Sequence, residues 1–159
     1  MNHALKKLLV VCAFSLWSSG LTTYGQRPSE VVKWTADIVK ATPTSATVAL
    51  SATIAEGWHV YALSQTAGGP TPLKITIPSG APFALQAPIQ ETKVIRHDDP
   101  SFKMETVYYL NTVSLTVAVR KEGAPAVQAV PVDVRFQACN DELCLPPYTV
   151  HLTADLKSK

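Results

Sequence analysis

Near its C-terminus the chain reads Val134-Arg135-Phe136-Gln137-Ala138-Cys139-Asn140-Asp141-Glu142-Leu143-Cys144-Leu145-Pro146-Pro147-Tyr148. Apolar and polar residues alternate before the first cysteine and again after the two prolines. The apolar positions are Val130, Val132, Val134 and Phe136 on the first side, and Tyr148, Val150, Leu152 and Ala154 on the second. A period of two is typical of half-buried β-strands, so this region predicts two strands that flank a short polar loop.

The loop carries two cysteines, Cys139 and Cys144. In a hairpin-like arrangement their Cα atoms can approach within the roughly 4.4–6.8 Å that a disulfide needs, and Asn140 and Asp141 tolerate the turn conformations required. Such a bond closes only its own turn and stabilises the fold by about 2 kcal/mol in a chain-entropy argument. Local disulfides of this kind are often redox-active, but the spacing leaves a structural and a redox role equally open.

The N-terminus has the pattern of a cleaved secretory signal peptide. Lys6 and Lys7 precede an apolar run, Leu8 to Trp17, and small and polar residues follow up to Gly25. We expect a signal peptide over residues 1–25 and a mature domain over residues 26–159. The apolar run is too short to span a bilayer comfortably, and the bulky residue before Cys12 disfavours lipid attachment there.

Length and composition predict one exported globular domain. The chain has 159 residues, of which 47% are hydrophobic and 16% charged, which permits a core and argues against disorder. Loss of the leader removes two of the 14 basic residues and none of the 12 acidic ones, so the mature domain is formally neutral. We therefore expect no nucleic-acid or anionic-lipid partner, no membrane span in the mature chain, and an oxidising compartment for its one remaining cysteine pair.

The rest of the chain predicts an all-β fold. Short alternating runs are separated by turn residues, and no helical periodicity of useful length occurs. The predicted strands are Val31 to Lys40, Ser45 to Ile54, one starting at Gly57 to Tyr61, Leu73 to Ile77, one near Lys93 to Arg96, Val107 to Leu110, and Val113 to Val119. His97 to Phe102 reads as a polar loop. This pattern is typical of an immunoglobulin-like antiparallel two-sheet sandwich, with Trp34 or Trp58 as its core aromatic.

Two motifs resemble a known family. Phe136-Gln137-Ala138-Cys139 with Cys144-Leu145-Pro146-Pro147, and Glu56-Gly57-Trp58-His59-Val60-Tyr61 upstream, resemble the N-terminal periplasmic domain of DsbD-type transmembrane disulfide reductases. The resemblance implies an immunoglobulin-like domain without a dissociable cofactor, whose cysteine pair shuttles between dithiol and disulfide. It also implies partners: a thioredoxin-like electron donor domain and periplasmic disulfide-handling proteins.

The resemblance further implies roles for individual residues. Cys144 would form mixed disulfides with partners, and Cys139 would resolve them. Phe102 would be the aromatic of a cap loop that shields the cysteines, with Asp98 and Asp99 as nearby acids. Tyr61 matches a family tyrosine near the active site. Phe102 as an ordinary core side chain and Tyr61 as an ordinary half-buried strand residue remain the alternatives.

The sequence departs from the family pattern in two respects. The loop between the cysteines is short and has no glycine, and the membrane-embedded and thioredoxin-like parts are not in this sequence, so we expect a separate electron donor. The loop also contains Asp141 and Glu142 but no Lys, Arg or His. Because carboxylates disfavour a neighbouring thiolate, we expect a free thiol that reacts slowly until a partner docks.

Two other functions fit parts of the sequence. One is an exported β-sandwich binding module whose disulfide is structural. The other is copper or zinc capture by the cysteines with His59, His97, His151 or Met104, although no recognised zinc spacing is present. A hydrolase has no motif to support it.

Overall fold

The computed structural model describes residues 25–123 and 126–157. The predicted signal peptide therefore lies outside the described residues, except for Gly25. The described chain forms one short helix, α1 (Pro28–Val31), and eleven strands. The strands are β1 (Val32–Ala41), β2 (Ser45–Ile54), β3 (His59–Tyr61), β4 (Lys74–Thr76), β5 (Phe83–Glu91), β6 (Ile95–Asp99), β7 (Met104–Leu110), β8 (Thr112–Lys121), β9 (Ala129–Phe136), β10 (Ala138–Cys139) and β11 (Tyr148–Asp155).

The strands with the clearest alternation form the centre of the fold. β2 and β8 pair in antiparallel register and bury every second residue, so Val48 lies opposite Val117 and Leu50 opposite Leu115. β9 and β11 pair with Tyr148 opposite Phe136, as the alternation on either side of the cysteines predicts. The period of two is therefore the physical cause of both pairs, because only one face of each strand is apolar.

Hydrogen bonding divides the strands into three antiparallel groups. Their orders are β1-β2-β8-β5, β10-β3-β7-β6 and β11-β9-β4. The antiparallel all-β fold is confirmed. The strands form three hydrogen-bonded groups, whereas a simple sandwich has two sheets. One reason is Gln137, which lies between β9 and β10 outside both strands, so that one continuous segment contributes to two groups.

All three groups contribute to a single hydrophobic core. Trp34 and Trp58 are both buried in it, and the Trp34 ring lies 6.0 Å from the ring of Phe136. Phe136 is fully buried and is followed within three residues by Cys139. The core therefore anchors the chain immediately before the first cysteine.

Two edge strands differ from the sequence predictions. β5 was not predicted, because its burial is irregular, it contains Pro88, and its pairing with β8 shifts between Gln86 and Gln90. β6 continues to Asp99, so His97, Asp98 and Asp99 are strand residues and the predicted polar loop is shorter than expected. Both strands lie at sheet edges, where pairing with one neighbour is sufficient and an apolar face is not required.

Candidate functional site

The two cysteines face each other across a tight turn. The backbone N–H of Asn140 donates to the carbonyl of Leu143 at 2.9 Å, and the N–H of Leu145 donates to the carbonyl of Ala138 at 2.9 Å. The side-chain Oδ1 of Asn140 accepts hydrogen bonds from the N–H groups of Glu142 and Leu143. Asn140 thus shapes a turn that has no glycine, and Cys139 and Cys144 form a disulfide with a Cα–Cα distance of 4.0 Å.

The two sulfur-bearing residues differ in exposure. Cys139 is 1% exposed, whereas Cys144 is exposed at the surface. Cys139 belongs to β10, which pairs with β3 on its other side, whereas Cys144 bridges to Cys139 outside the named strands. A protein approaching from solvent therefore meets Cys144.

One face of the β10-β3-β7-β6 sheet carries the surrounding side chains. Cys139 lies opposite His59, and Tyr61 lies opposite Tyr108. Tyr108 in turn lies opposite Ile95 at the start of β6. Because successive residues of a strand point to opposite faces, this face includes the side chains of Cys139, His59, Tyr61, Tyr108, His97 and Asp99.

The same alternation separates the two predicted acids. Asp99 has the parity of Ile95 and His97 and therefore faces the cysteines. Asp98 has the opposite parity, is exposed, and does not line the cleft described below. Of the two acids, only Asp99 lies beside the cysteine pair.

These side chains line a cleft of about 300 Å³ that contains both cysteines. Its lining comes from three parts of the chain: β3, the β6–β7 hairpin and the cysteine turn. The lining residues are His59, Tyr61, His97, Asp99, Pro100, Ser101, Phe102, Tyr108, Cys139, Asn140, Asp141 and Cys144. The fold therefore brings Phe102, Tyr61 and Asp99 together with the cysteine pair.

The Asp99 carboxylate joins the hairpin to β3. Its Oδ1 accepts hydrogen bonds from the N–H groups of Ser101 at 2.8 Å and Phe102 at 3.3 Å. Its Oδ2 accepts a hydrogen bond from the Tyr61 hydroxyl at 3.2 Å. The Phe102 ring meets the Tyr61 ring edge to face, with centroids 6.0 Å apart. Asp99 thus binds both the backbone of Phe102 and the hydroxyl of Tyr61, the tyrosine whose ring the Phe102 ring contacts.

Burial and the nearby acid set the protonation of the cleft. Burial lowers the pKa of His59, while the charges of Asp99 and Asp141 oppose that change. Burial, followed by the Asp99 charge and hydrogen bond, raises the pKa of Tyr61 above its ordinary value. At neutral pH the cleft therefore contains a neutral imidazole and a protonated phenol.

The histidines and methionine considered for metal capture are dispersed. His59 and His97 line the cleft, but His151 lies on β11 with its Nδ1 2.7 Å from Asp133 Oδ1. Met104 packs against Gly69. Within residues 25–123 and 126–157, no three His, Cys, Asp or Glu side chains are grouped so as to hold a metal ion.

Comparison with known proteins identifies the family. A sequence model for the thiol:disulfide interchange protein DsbD, N-terminal, matches residues 28–155 of this chain. The chain belongs to this family. As a member of the DsbD N-terminal family, it is a thiol:disulfide interchange domain. A search of curated proteins found no match.

Solved structures show the same fold at low sequence identity. The DsbD N-terminal domain of Neisseria meningitidis, in the reduced form, is 17% identical with a TM-score of 0.51, covering 82% of this chain and 89% of that one. The N-terminal periplasmic domain of ScsB from Proteus mirabilis is 16% identical with a TM-score of 0.59, covering 85% of this chain and 51% of that one. These likenesses support the immunoglobulin-like architecture of the DsbD N-terminal family.

The structure also brings two residues to the site that the sequence did not assign to it. His59 was named within the upstream family motif and as a candidate metal ligand, and Tyr108 only as part of a strand. The parity of β3 was a usable signal, because a residue two positions before Tyr61 shares its face. No local signal pointed to Tyr108, which reaches the site through the pairing of β7 with β3.

No helix in the described part of this DsbD N-terminal family member is both long and apolar enough to cross a membrane.

Proposed function

We propose that this domain is an electron carrier of the periplasm that exchanges its Cys139–Cys144 disulfide with partner proteins. The mature carrier is residues 26–159, exported by the N-terminal leader. Its partners are a thioredoxin-like electron donor domain and periplasmic disulfide-handling proteins. Family membership and the presence of a disulfide in a cleft support the proposal.

The difference in exposure between the two cysteines is the observation that carries this proposal. In the reduced domain, the Cys144 thiolate attacks a sulfur of the partner's disulfide, and one partner thiolate leaves. Cys139 then attacks Cys144 Sγ, which forms the intramolecular disulfide and releases the second partner thiolate. Two electrons pass to the partner, whose two sulfurs take up the two protons that the cysteines lose. Exposed Cys144 and buried Cys139 suit these two steps in that order.

Phe102 acts in this proposal as the cap of the cleft, with Tyr61 and Asp99 holding it. The contact between the two rings and the hydrogen bonds of Asp99 support this role. Asp98 has no part in it, because its side chain is on the other face of β6.

The reduction potential of the cysteine pair tests the carrier function. The mature domain is equilibrated in thiol redox buffers, and its free thiols are counted by mass. We expect a value within the range of known exchange proteins, about −120 to −270 mV. A value below about −300 mV would mark the disulfide as structural and favour a binding module instead.

Trapping of partners tests the order of attack. Cys139→Ala leaves Cys144 without its resolving thiol, so mixed disulfides with periplasmic proteins accumulate on non-reducing gels. Cys144→Ala is the matched control and accumulates few, since the remaining thiol is buried. Equal trapping by both variants would contradict the assignment.

A further inference from the structure

The imidazole of His59 lies directly across the strand pair from Cys139. The two residues are register partners in the antiparallel pairing of β3 with β10. Side chains at such positions point to the same face, with Cβ atoms about 4.5–5.5 Å apart. Both residues line the cleft, so β3 places the His59 imidazole beside the buried cysteine.

The ring nitrogen Nε2 of His59 is buried and has no hydrogen-bond partner in the disulfide form. A buried polar atom without a hydrogen-bond partner costs free energy, and such a group calls for a physical explanation. A disulfide has no hydrogen to donate, whereas a free Cys139 thiol has one. Reduction of the pair thus creates a donor on the residue opposite this nitrogen.

The surroundings of His59 suit a proton acceptor. The Tyr61 ring meets it edge-on at 5.0 Å and the Tyr108 ring lies 4.8 Å away, so the imidazole is held between two aromatic rings. The titratable groups that face it are Tyr61 on its own strand, Tyr108 on β7, His97 and Asp99 on β6, Asp141 in the cysteine turn, and the two cysteines. Burial keeps the imidazole neutral, and the two carboxylates favour the imidazolium once a proton arrives.

We propose that Nε2 of His59 accepts the thiol proton of Cys139 when that sulfur resolves the mixed disulfide on Cys144. This inference rests on the proposed carrier function. The Cys139 S–H bond breaks, its proton moves to His59, and the thiolate attacks Cys144 Sγ. The bond between Cys144 and the partner sulfur breaks, and the leaving partner thiolate takes up the proton from His59. The cysteine turn has no Lys, Arg or His, and β3 places an imidazole opposite Cys139.

The test separates the two sulfurs by using the aromatic disulfide 5,5′-dithiobis(2-nitrobenzoate) as the partner. The reduced domain releases one coloured thiolate when Cys144 attacks and a second when Cys139 resolves. Raising the reagent concentration speeds the first release and leaves the second unchanged, because the second is intramolecular. Cys139→Ala gives one release only, which identifies the first phase as attack by Cys144 and the second as resolution by Cys139.

We expect His59→Phe to slow the second release by about 100-fold at pH 7, with the first release changed less than about threefold. His59→Gln, which accepts a hydrogen bond but does not take up a proton, slows it similarly. His151→Gln is the matched control, because this histidine is exposed on β11 outside the cleft, and it leaves both phases unchanged.

The pH profile distinguishes proton transfer from a change in shape. In the parent domain, the second release is nearly constant from about pH 6.5 to 8, because neutral His59 is available throughout. In the His59 variants the rate of the second release falls about tenfold for each unit by which the pH is lowered, because it follows the thiolate fraction. A second release that keeps the parent rate and profile in His59→Gln would overturn the inference. Absence of a second release in the parent domain would instead overturn the carrier function.

Discussion

At the scale of single residues, the two acids of the cysteine turn are not equivalent. Asp141 lines the cleft with both cysteines, whereas the exposed Glu142 does not. The side-chain oxygen of Asn140 accepts hydrogen bonds from the N–H groups of Glu142 and Leu143, and this turn places the two acids differently. The slow free thiol that the sequence predicts is therefore assigned mainly to Asp141.

Alkylation of the reduced domain by iodoacetamide measures this effect. We expect modification at Cys144 before Cys139, followed by peptide mass, because Cys139 is 1% exposed. Asp141→Asn speeds the reaction by up to about fivefold at low salt, since two unit charges about 4 Å apart in water interact by about 1 kcal/mol and more distant ones by less. Glu142→Gln is the matched control with a smaller effect. Rapid alkylation of the unmodified domain at neutral pH would contradict the prediction.

At the scale of secondary-structure elements, the turn at the tip of the β6–β7 hairpin lines the cleft and is held by few side-chain contacts. Pro100 to Lys103 connects the strands, and Lys103 adopts a left-handed conformation with φ of 54°. Asp99 binds two N–H groups of this turn and the Tyr61 hydroxyl. Beyond the backbone pairing, the Asp99 carboxylate and the contact between the Phe102 and Tyr61 rings hold this turn beside β3.

Loss of the Phe102 ring tests the cap. An edge-to-face aromatic pair contributes about 0.5–1.5 kcal/mol, so we expect Phe102→Ala to speed reduction of the disulfide by dithiothreitol by about two- to tenfold. The rate is read from thiol formation under excess reductant. Ser101→Ala keeps the backbone bond to Asp99 and is the control, with an unchanged rate. An unchanged rate in Phe102→Ala would show that the Phe102 ring packs against Tyr61 without shielding the disulfide.

At the scale of the whole molecule, two buried tyrosines link the fold to pH. Tyr109 is 1% exposed and its hydroxyl bonds the Glu91 carboxylate of β5, while Tyr61 bonds Asp99. Burial first, and then the carboxylate partner, raises the pKa of each phenol. The unfolded chain has the ordinary value near 10, so above that pH it loses protons that the folded chain keeps. Their stabilisation is complete below pH 10 and declines as the pH rises.

Urea unfolding between pH 8 and pH 12 measures this decline. We expect the free energy of unfolding to be steady up to about pH 10 and then to fall by about 1–3 kcal/mol for each of the two tyrosines by pH 12. Tyr109→Phe makes the fall shallower, although it is less stable at pH 8 because Glu91 loses its donor. Tyr148→Phe removes an exposed hydroxyl and keeps the parent slope. A parent stability that stays constant to pH 12 would contradict the assignment.

Most of the fold was predictable, and the exceptions have a common cause. Strands with one buried face, such as β2 and β9, are recognisable in the sequence from their alternating apolar and polar residues. The edge strands β5 and β6 are not recognisable in this way, because Pro88 and a register shift interrupt β5 and because β6 is mostly polar and exposed on both faces. The cysteine turn was predictable because its partners are adjacent in the chain. The place of His59 was not, because it depends on which strand pairs with β10.

The sequence by itself determined the strands that have one buried face, the closeness of the two cysteines and the family of this protein. These follow from residues that are neighbours along the chain, where a period of two or a short spacing is sufficient. Only the tertiary structure decided that Cys144 is exposed and Cys139 buried, that Asp99 and not Asp98 faces the cleft, and that His59 lies opposite Cys139. The physical reason is register: a shift of one residue in the pairing of two strands turns every side chain to the other face, and the residues that fix the register are distant in sequence.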